Sequence, residues 1–261
     1  MIDFSSAQLD RWLALFAFPL ARVGGMMLTA PVFNNAGLSP RIRLLIALAL
    51  AFALAPGLPP LPPIAAGSWL GFLILGEQIL LGALLGFVLR ITFSAVDTAG
   101  QLIGLQMGLS FAVFYDPRNA AQTPVLSEFM GLLATLIFLA MNGHLLLLAV
   151  LAESFQLFPI GLHPIASGSF AMILAWATTI FSAGLLLSLP LVAALLIANI
   201  AMGILARVAP QLNLFAIGFP VTMVAGFTVL MISLPYFGAA MERLFDQSFF
   251  VLREVMRAAA A

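Results

Sequence analysis

The segment from Trp69 to Val113 reads "WLGFLILGEQILLGALLGFVLRITFSAVDTAGQLIGLQMGLSFAV". Over about 45 residues its only charged side chains are Glu77, Arg90 and Asp97. As one straight helix the segment would be about 68 Å long at 1.5 Å per residue. That is about twice the ~30 Å thickness of the hydrocarbon core of a bilayer. The sequence therefore predicts a membrane-type helix that bends, breaks or leaves the bilayer.

The composition of the whole chain also indicates contact with lipid. Of the 261 residues, 63% are hydrophobic and 8% are charged, whereas an ordinary soluble domain carries about 25% charge. Such a chain cannot cover itself with polar surface, so we expect lipid or partner subunits to cover it. The net charge of zero gives no indication of a nucleic-acid partner. The absence of cysteine excludes disulfides and thiolate metal sites.

The apolar segments predict an all-α, integral-membrane-type fold in a single domain over residues 1–261. The N-terminus lacks the basic start and the cleavage pattern of a removable signal peptide, so we expect the first segment to be retained. The arginines are spread evenly over both sides, and the positive-inside rule therefore assigns no orientation. Residues 241–257 have the pattern of an amphipathic helix lying on a membrane or a partner. About six segments reach spanning length, at roughly 12–33, 42–58, 69–113, 125–151, 170–200 and 214–237.

Two patterns lie on the second half of the long segment. Polar residues recur at helical spacing and form one stripe, which consists of Arg90, Ser94, Asp97 and Gln101. Small residues continue close to that line at Gly100, Gly104 and Gly108, and this spacing lets another helix backbone approach. Charges at membrane depth are costly, so we expect Arg90 and Asp97 to pair with each other or with a neighbour, or to face water. Both a structural pair between packed helices and a pore-facing role remain open.

The long segment runs into a polar, aromatic interruption, "GLSFAVFYDPRNAAQTPVL" from Gly108 to Leu126, which we call the central loop. Pro117 and Pro124 are expected to prevent helix continuation and to limit pairing with neighbouring backbones. Irregular backbone at this depth is tolerated only inside protein or beside a water-filled cavity. A simple connector between two spans is the alternative. The candidate functional residues of this loop are Phe111, Val113, Phe114, Tyr115, Asp116, Pro117, Arg118, Asn119 and Gln122.

No enzyme signature accompanies these patterns, so we expect neither catalysis nor a cofactor. The chain contains no phosphate-binding GxxxxGK[ST] loop, no HExxH and no nucleophile elbow, and its two histidines cannot form a zinc site by themselves. Two further polar residues are expected at buried positions. Glu77 is interpreted as a partner or capping group, and His144 as a hydrogen-bonded residue of a helix turn.

Five blocks in order resemble the FliR family of flagellar export-gate proteins. They are "ARVGGMMLTAPVF" (21–33), "GEQILLGALLGFVLR" (76–90), "AGQLIGLQMGLSFAVFYDP" (99–117), "FLAMNGHLLLL" (138–148) and "RVAPQLNLFAIGFP" (207–220). The related injectisome subunit shares the last type of block, and the others look more flagellar. The resemblance extends over most of the chain and carries expectations that composition and spacing do not supply.

The resemblance implies a subunit of a protein-conducting gate in the bacterial inner membrane, at the flagellar basal body. FliP and FliQ would be the other gate subunits, with FlhB and FlhA nearby and exported flagellar proteins as transient substrates. It implies bent helical hairpins, with a FliP-like part at about 1–195 and a FliQ-like hairpin at about 196–261. It also places the central loop in the closed channel as a plug. The turn of the later hairpin would contain Arg207, Pro210, Gln211 and Asn213.

A secondary transporter of a small ion or solute is the alternative. Its relay groups would be drawn from Glu77, Asp97, Glu128, Glu153 and His144. A scaffold without any conduit is a third possibility, under which changes in the central loop leave ion leakage unaffected.

Overall fold

A computed structural model describes residues 6–35, 37–60, 64, 67–109, 113–116, 121–161, 166–209 and 214–260. It confirms the predominantly helical, membrane-type fold. The first half contains α1 (Ser6–Thr29), α2 (Pro40–Leu54), a short 3₁₀ turn (Ala55–Gly57) and α3 (Trp69–Gln106). Two short strands follow, β1 (Val113–Asp116) and β2 (Ala121–Pro124). The second half contains α4 (Val125–Ala140), α5 (Gly143–Leu157), α6 (Ser167–Ala177), α7 (Thr179–Val208) and α8 (Leu214–Ala260).

The helices match the predicted apolar segments in number. Among the described residues, five helical stretches are long and apolar enough to cross a membrane, and a bent pair raises the number to six. The bent pair is α4 and α5, which together replace the single predicted segment at 125–151 and meet at 66°. The break lies at Asn142, whose φ of 57° is left-handed, a conformation that asparagine adopts more readily than most residues.

The long segment forms one helix but ends earlier than predicted. Helix α3 has 38 residues and stops at Gln106, where we had expected helix up to residue 113. Gly108 follows with a φ of +75°, which removes the chain from the helical path and which glycine adopts without steric cost. At 1.5 Å per residue α3 is still about 57 Å long, so the expectation that it exceeds one bilayer thickness holds.

Two compact units make up the chain. The first comprises Met1–Ile91, Asn142–Ala177 and Gln247–Ala261, and the second comprises Thr92–Met141 and Thr178–Asp246. In the first unit, α1 packs closely on α3, since a Cβ on Gly82 would meet the backbone of Arg22 and Met26. In the second unit, three aromatic rings pack together, and Phe245 lies 5.3 Å from both Phe93 and Phe138.

The C-terminal region differs from its predicted environment. The amphipathic pattern of residues 241–257 is present, but it belongs to the same 47-residue helix as the preceding apolar segment. Its apolar face is buried within the chain, with Leu252 0% exposed. The expectation that this face lies on a membrane or a partner was therefore wrong, because the other helices of the chain already cover it. The buried positions of the face are Met241, Leu244, Phe245, Phe249, Leu252, Val255 and Met256.

The central loop contains an antiparallel hairpin that the sequence analysis did not predict. Strand β1 pairs with β2 in the register Val113 to Pro124 and Asp116 to Ala121. Pro124 thus occupies the end of the ladder, where its missing N–H is tolerated. This pairing is within the loop, so the expectation that Pro117 and Pro124 limit pairing with neighbouring backbones stays a prediction. The Val-Phe-Tyr run of β1 is rich in residues that favour strands.

Candidate functional site

The candidate site lies in the second unit, where α3 crosses the start of α4. At Gly100 the two helices touch backbone to backbone, since a Cβ built there would lie 2.6 Å from Ser127 Cα and 2.9 Å from Ser127 N. The buried Ser127 also donates from Oγ to the carbonyl oxygen of Asp97 at 3.0 Å. The crossing is therefore held by close packing together with a hydrogen bond between the helices.

The three small residues of the predicted face have different roles. Gly100 makes the close approach, and the approaching segment is α4 of the same chain. Gly104 makes an ordinary contact, since its Cβ would lie 3.7 Å from Leu126 Cβ. Gly108 is required for its left-handed backbone, and its Cβ would lie 3.3 Å from a ring carbon of Phe219. Equal spacing in sequence thus places the three glycines in three different environments.

The polar stripe lies on the solvent-accessible face of α3. Arg90, Asp97 and Gln101 are exposed in the isolated chain, and Ser94 is half-buried. The carbonyl of Ser94 accepts a hydrogen bond from Thr98 Oγ1 at 2.8 Å. Translocon-insertion scales assign about 2.5–3.5 kcal/mol to a charged residue at the centre of a spanning helix. The stripe therefore favours water or protein over lipid as its surroundings.

A half-open cavity of about 320 Å³ lies beside this crossing. Its walls are mainly apolar and include Leu102, Leu105 and Leu126, while Thr98 and Gln101 supply polar groups. Gly104 forms part of the wall, and its missing side chain leaves the space open. This cavity could not be predicted from the sequence, because only the helix crossing brings α3 and the start of α4 together.

The predicted residues of the central loop fall into two groups. Val113, Phe114, Tyr115 and Asp116 form β1, and Gln122 lies in β2 opposite Tyr115. Phe111, Pro117, Arg118 and Asn119 lie outside the described residues. The hairpin connects the end of α3 to the start of α4, and its two strands pair their backbones with each other.

The predicted turn of the later hairpin lies between α7 and α8. Arg207 is exposed in the last turn of α7, which ends at Val208, and α8 begins at Leu214. The break is therefore at the predicted place. Pro210, Gln211 and Asn213 lie outside the part of the chain that the structure describes.

Two residues predicted to be buried and polar are only half-buried, Glu77 on α3 and His144 on α5. His144 is in the first turn of its helix, as expected, but its buried Nδ1 atom has no hydrogen-bond partner among the described residues. The expectation that His144 is hydrogen-bonded stays a prediction for its other ring nitrogen. Within the same described part, no group of three or more histidine, aspartate and glutamate side chains could hold a metal ion.

Among the described residues, the charged side chain that is fully buried is Arg22, which was not among the residues predicted for the site. Its Nε and Nη2 donate to Gln78 Oε1 at 2.8 and 2.5 Å, and Nη2 also donates to the carbonyl of Phe158 at 2.8 Å. Its Nη1 donates to the carbonyl and the Oγ of Ser154 at 2.8 and 3.1 Å. The ring of Phe155 covers the guanidinium at 4.1 Å. Arg22 thereby joins α1, α3 and the end of α5 within the first unit.

A usable signal for Arg22 was present in the sequence. It is a lone arginine in the middle of the first apolar segment, and ionisable residues at such positions are rarely without a role. Its partners could not have been read from the sequence, because Gln78 and Ser154 lie 56 and 132 positions away.

Comparison with known proteins decides the family. A sequence model of the family described as "Bacterial export proteins, family 1" matches residues 13–248. The chain belongs to this family.

Members of bacterial export protein family 1 that resemble the chain are found in distant bacteria. The flagellar biosynthetic protein FliR of Escherichia coli (strain K12) is 40% identical, and the match covers 98% of each chain. The protein of the same name in Aquifex aeolicus (strain VF5) is 32% identical over 87% of this chain and 88% of its own. The one in Bacillus subtilis (strain 168) is 28% identical over 92% and 94%. These matches give no support to the small-solute transporter alternative.

Proposed function

We propose that this chain is a subunit of the flagellar protein export gate and that it helps to form and close the channel for unfolded flagellar proteins. The observation that carries the proposal is the family match over residues 13–248. FliP and FliQ are the proposed gate subunits beside it, with FlhB and FlhA nearby. The proposed location is the inner membrane at the flagellar basal body.

The exposed surface of the chain supports assembly with other subunits or lipid. Large apolar side chains point outward along α7 and α8, and each is worth about 1.5–3 kcal/mol when it leaves water. A chain with so many exposed apolar side chains requires lipid or other subunits to bury them. The most exposed on these two helices are Phe181, Leu186, Ile197, Val208, Val224, Met231, Ile232 and Tyr236.

The proposed division of the chain falls within α7 (Thr179–Val208). Residues 1–195 would form the FliP-like part, and residues 196–261 would form the FliQ-like hairpin with the amphipathic helix end. The break between Val208 and Leu214 supplies the required turn. Of the exposed apolar side chains named above, Val208 lies at this turn, and Ile197 and Val224 lie about three helical turns from it, which fits a role in contacting neighbouring subunits.

The central loop is the proposed plug of the closed channel. A channel interior offers few groups that satisfy a free backbone, and a hairpin meets this requirement by pairing its strands with each other. Phe111, Phe114 and Tyr115 would supply apolar bulk that excludes water, because apolar constrictions close channels by dewetting. Asp116, Arg118, Asn119 and Gln122 would keep the loop solvated when it moves aside. In this proposed role the subunit lets an exported polypeptide pass, and it uses neither a chemical reaction nor a cofactor.

Replacing Phe111–Gln122 with a short glycine-serine linker tests the proposal. The gate should still assemble, since this stretch lies outside the α3–α4 crossing, but it should leak ions. Single-channel conductance and the abundance of the complex should be measured together. Changing Asp116 and Arg118 to Ala is the control, and it should leak much less than Phe111, Phe114 and Tyr115 changed to Ala. An assembled complex that stays closed without the loop would contradict the plug.

A further inference from the structure

The cavity beside the α3–α4 crossing has the size of a side-chain binding site. Its volume is about 320 Å³. An engineered apolar cavity of about 150 Å³ already accommodates benzene. The cavity can therefore hold a leucine or phenylalanine side chain with room for adjustment, whereas a whole helix cannot enter it.

We propose that this cavity receives one large apolar side chain of the exported polypeptide while the chain passes through the gate. The inference rests on the proposed function and adds to it a contact between the subunit and its substrate. Leu102, Leu105 and Leu126 form the apolar wall. Such a wall selects by size and apolarity and not by sequence, as a gate that passes many different proteins requires.

The rim of the cavity fits the backbone of an extended chain. Gln101 lines the cavity and is exposed, and its carboxamide offers both a donor and an acceptor. A peptide group offers the complementary pair. Thr98 adds hydroxyl lone pairs at the rim, because its Oγ1 hydrogen is donated to the carbonyl of Ser94. In an extended chain successive side chains point to opposite sides, so one enters the cavity while the adjacent peptide group lies at Gln101.

The charge beside the cavity argues against a lipid tail as the occupant. Asp97 lies one helical turn before Gln101 on the same exposed face of α3. A carboxylate at this position disfavours a hydrocarbon environment. An unfolded polypeptide in a wet channel tolerates it.

The cavity also lies beside the proposed plug. Leu109 and Pro124 both line it, and they are the described residues that lead into and out of the central loop. An occupant would therefore sit where the polypeptide passes the open hairpin. The contact must be weak, because a site on a conduction path has to release what it binds.

Site-specific crosslinking in the assembled gate tests the inference. The probe is an exported flagellar protein fused to a stably folded domain, so that it stalls in the channel. A photoreactive amino acid replaces Leu105, which is 64% exposed at the cavity. The matched control is Leu136, which is 63% exposed on α4 and lies away from the cavity. Position 105 should give an adduct with the stalled chain, and position 136 should give on the order of tenfold less.

One set of changes in the exported protein and one in the cavity make the test more specific. Changing leucines to serine in the stalled stretch should lower the adduct yield at position 105 by roughly tenfold, since burial of one apolar side chain is lost. Gly104→Leu should fill the cavity and abolish the adduct while the complex keeps its abundance, because its Cβ meets only Leu126 Cβ at 3.7 Å. Gly76→Leu on the same helix has open space around it and should leave the adduct unchanged.

The outcomes separate the inference from the proposed function. An adduct at position 105 with lipid or another gate subunit would overturn the inference. A second probe at Tyr115, in the proposed plug, reports passage of the stalled chain. An adduct with the stalled chain at position 115 but not at position 105 would also overturn the inference, although the proposed function would then stand. No adduct at either position in a stalled complex would contradict both.

Discussion

Arg22→Lys should destabilise the chain strongly even though it keeps the charge. The guanidinium of Arg22 is 0% exposed and makes five hydrogen bonds, to Gln78, Ser154 and Phe158. A lysine ammonium has three donors, so at least two of the five contacts are lost. Bonds to a charged group contribute about 1.5–3 kcal/mol each. The expected loss of unfolding free energy is therefore about 3 kcal/mol at the lower end.

The loss should be measured as the thermal midpoint of the purified protein in detergent. For a chain of this length about 1 kcal/mol corresponds to roughly 2–4 °C, so the midpoint should fall by about 6–12 °C. Arg41→Lys is the matched control, because Arg41 is exposed, and it should move the midpoint by less than about 2 °C. A midpoint for Arg22→Lys within that control range would refute the account of Arg22 as the buried tie between α1, α3 and α5.

A double variant tests whether Arg22 and Gln78 act as a pair. Arg22→Met leaves Gln78 Oε1 without its donor in a buried site, whereas Ser154 O keeps the amide of Phe158 at 2.9 Å. Adding Gln78→Leu removes the stranded acceptor, and replacing a buried polar pair by apolar residues of similar volume is often neutral. The double variant should therefore be more stable than Arg22→Met. If it is less stable, the two side chains do not act as a pair.

Three further outcomes follow from the described contacts. Gly100→Ala should destabilise the chain by about 3 kcal/mol, because its Cβ would lie 2.6 Å from a backbone atom of Ser127. The control Gly76→Ala lies in open space and should be neutral or slightly stabilising. Equal yields of the two purified variants would refute the close crossing. Leu252→Asp should lower the free energy of unfolding by at least about 3 kcal/mol, since the side chain is 0% exposed. Phe250→Asp, at a side chain that is 67% exposed, should cost far less. If the thermal midpoint falls less for Leu252→Asp than for Phe250→Asp, the face of Leu252 is not covered. Arg253→Ala should lower the free energy of unfolding by less than about 1 kcal/mol, because its ion pair with Glu153 is 3.9 Å long and both side chains are nearly half exposed. A drop in thermal midpoint as large as that of Arg22→Lys would show that this ion pair is not weak.

Residue pattern along the chain was sufficient to predict the helical segments and the break between α7 and α8. The end of α7 near Arg207 and the start of α8 at Leu214 lie where the proline-containing turn predicts them. The amphipathic pattern of residues 241–257 also predicted a helix there with one apolar face, and such a face is present. These features depend on helix periodicity and on residues that stop helices, and both act over only a few positions.

Which helix faces meet became clear only from the fold. Gly100, Gly104 and Gly108 have equal spacing, yet only the crossing with α4 makes Gly100 a backbone contact and leaves Gly104 beside a cavity. The sequence likewise placed the amphipathic helix face on a membrane or a partner, whereas the chain covers that face itself. Periodicity shows that a face is apolar, but the identity of its cover depends on contacts between residues far apart in the chain. For the same reason, only the fold shows that Arg22 is bound by Gln78, Ser154 and Phe158.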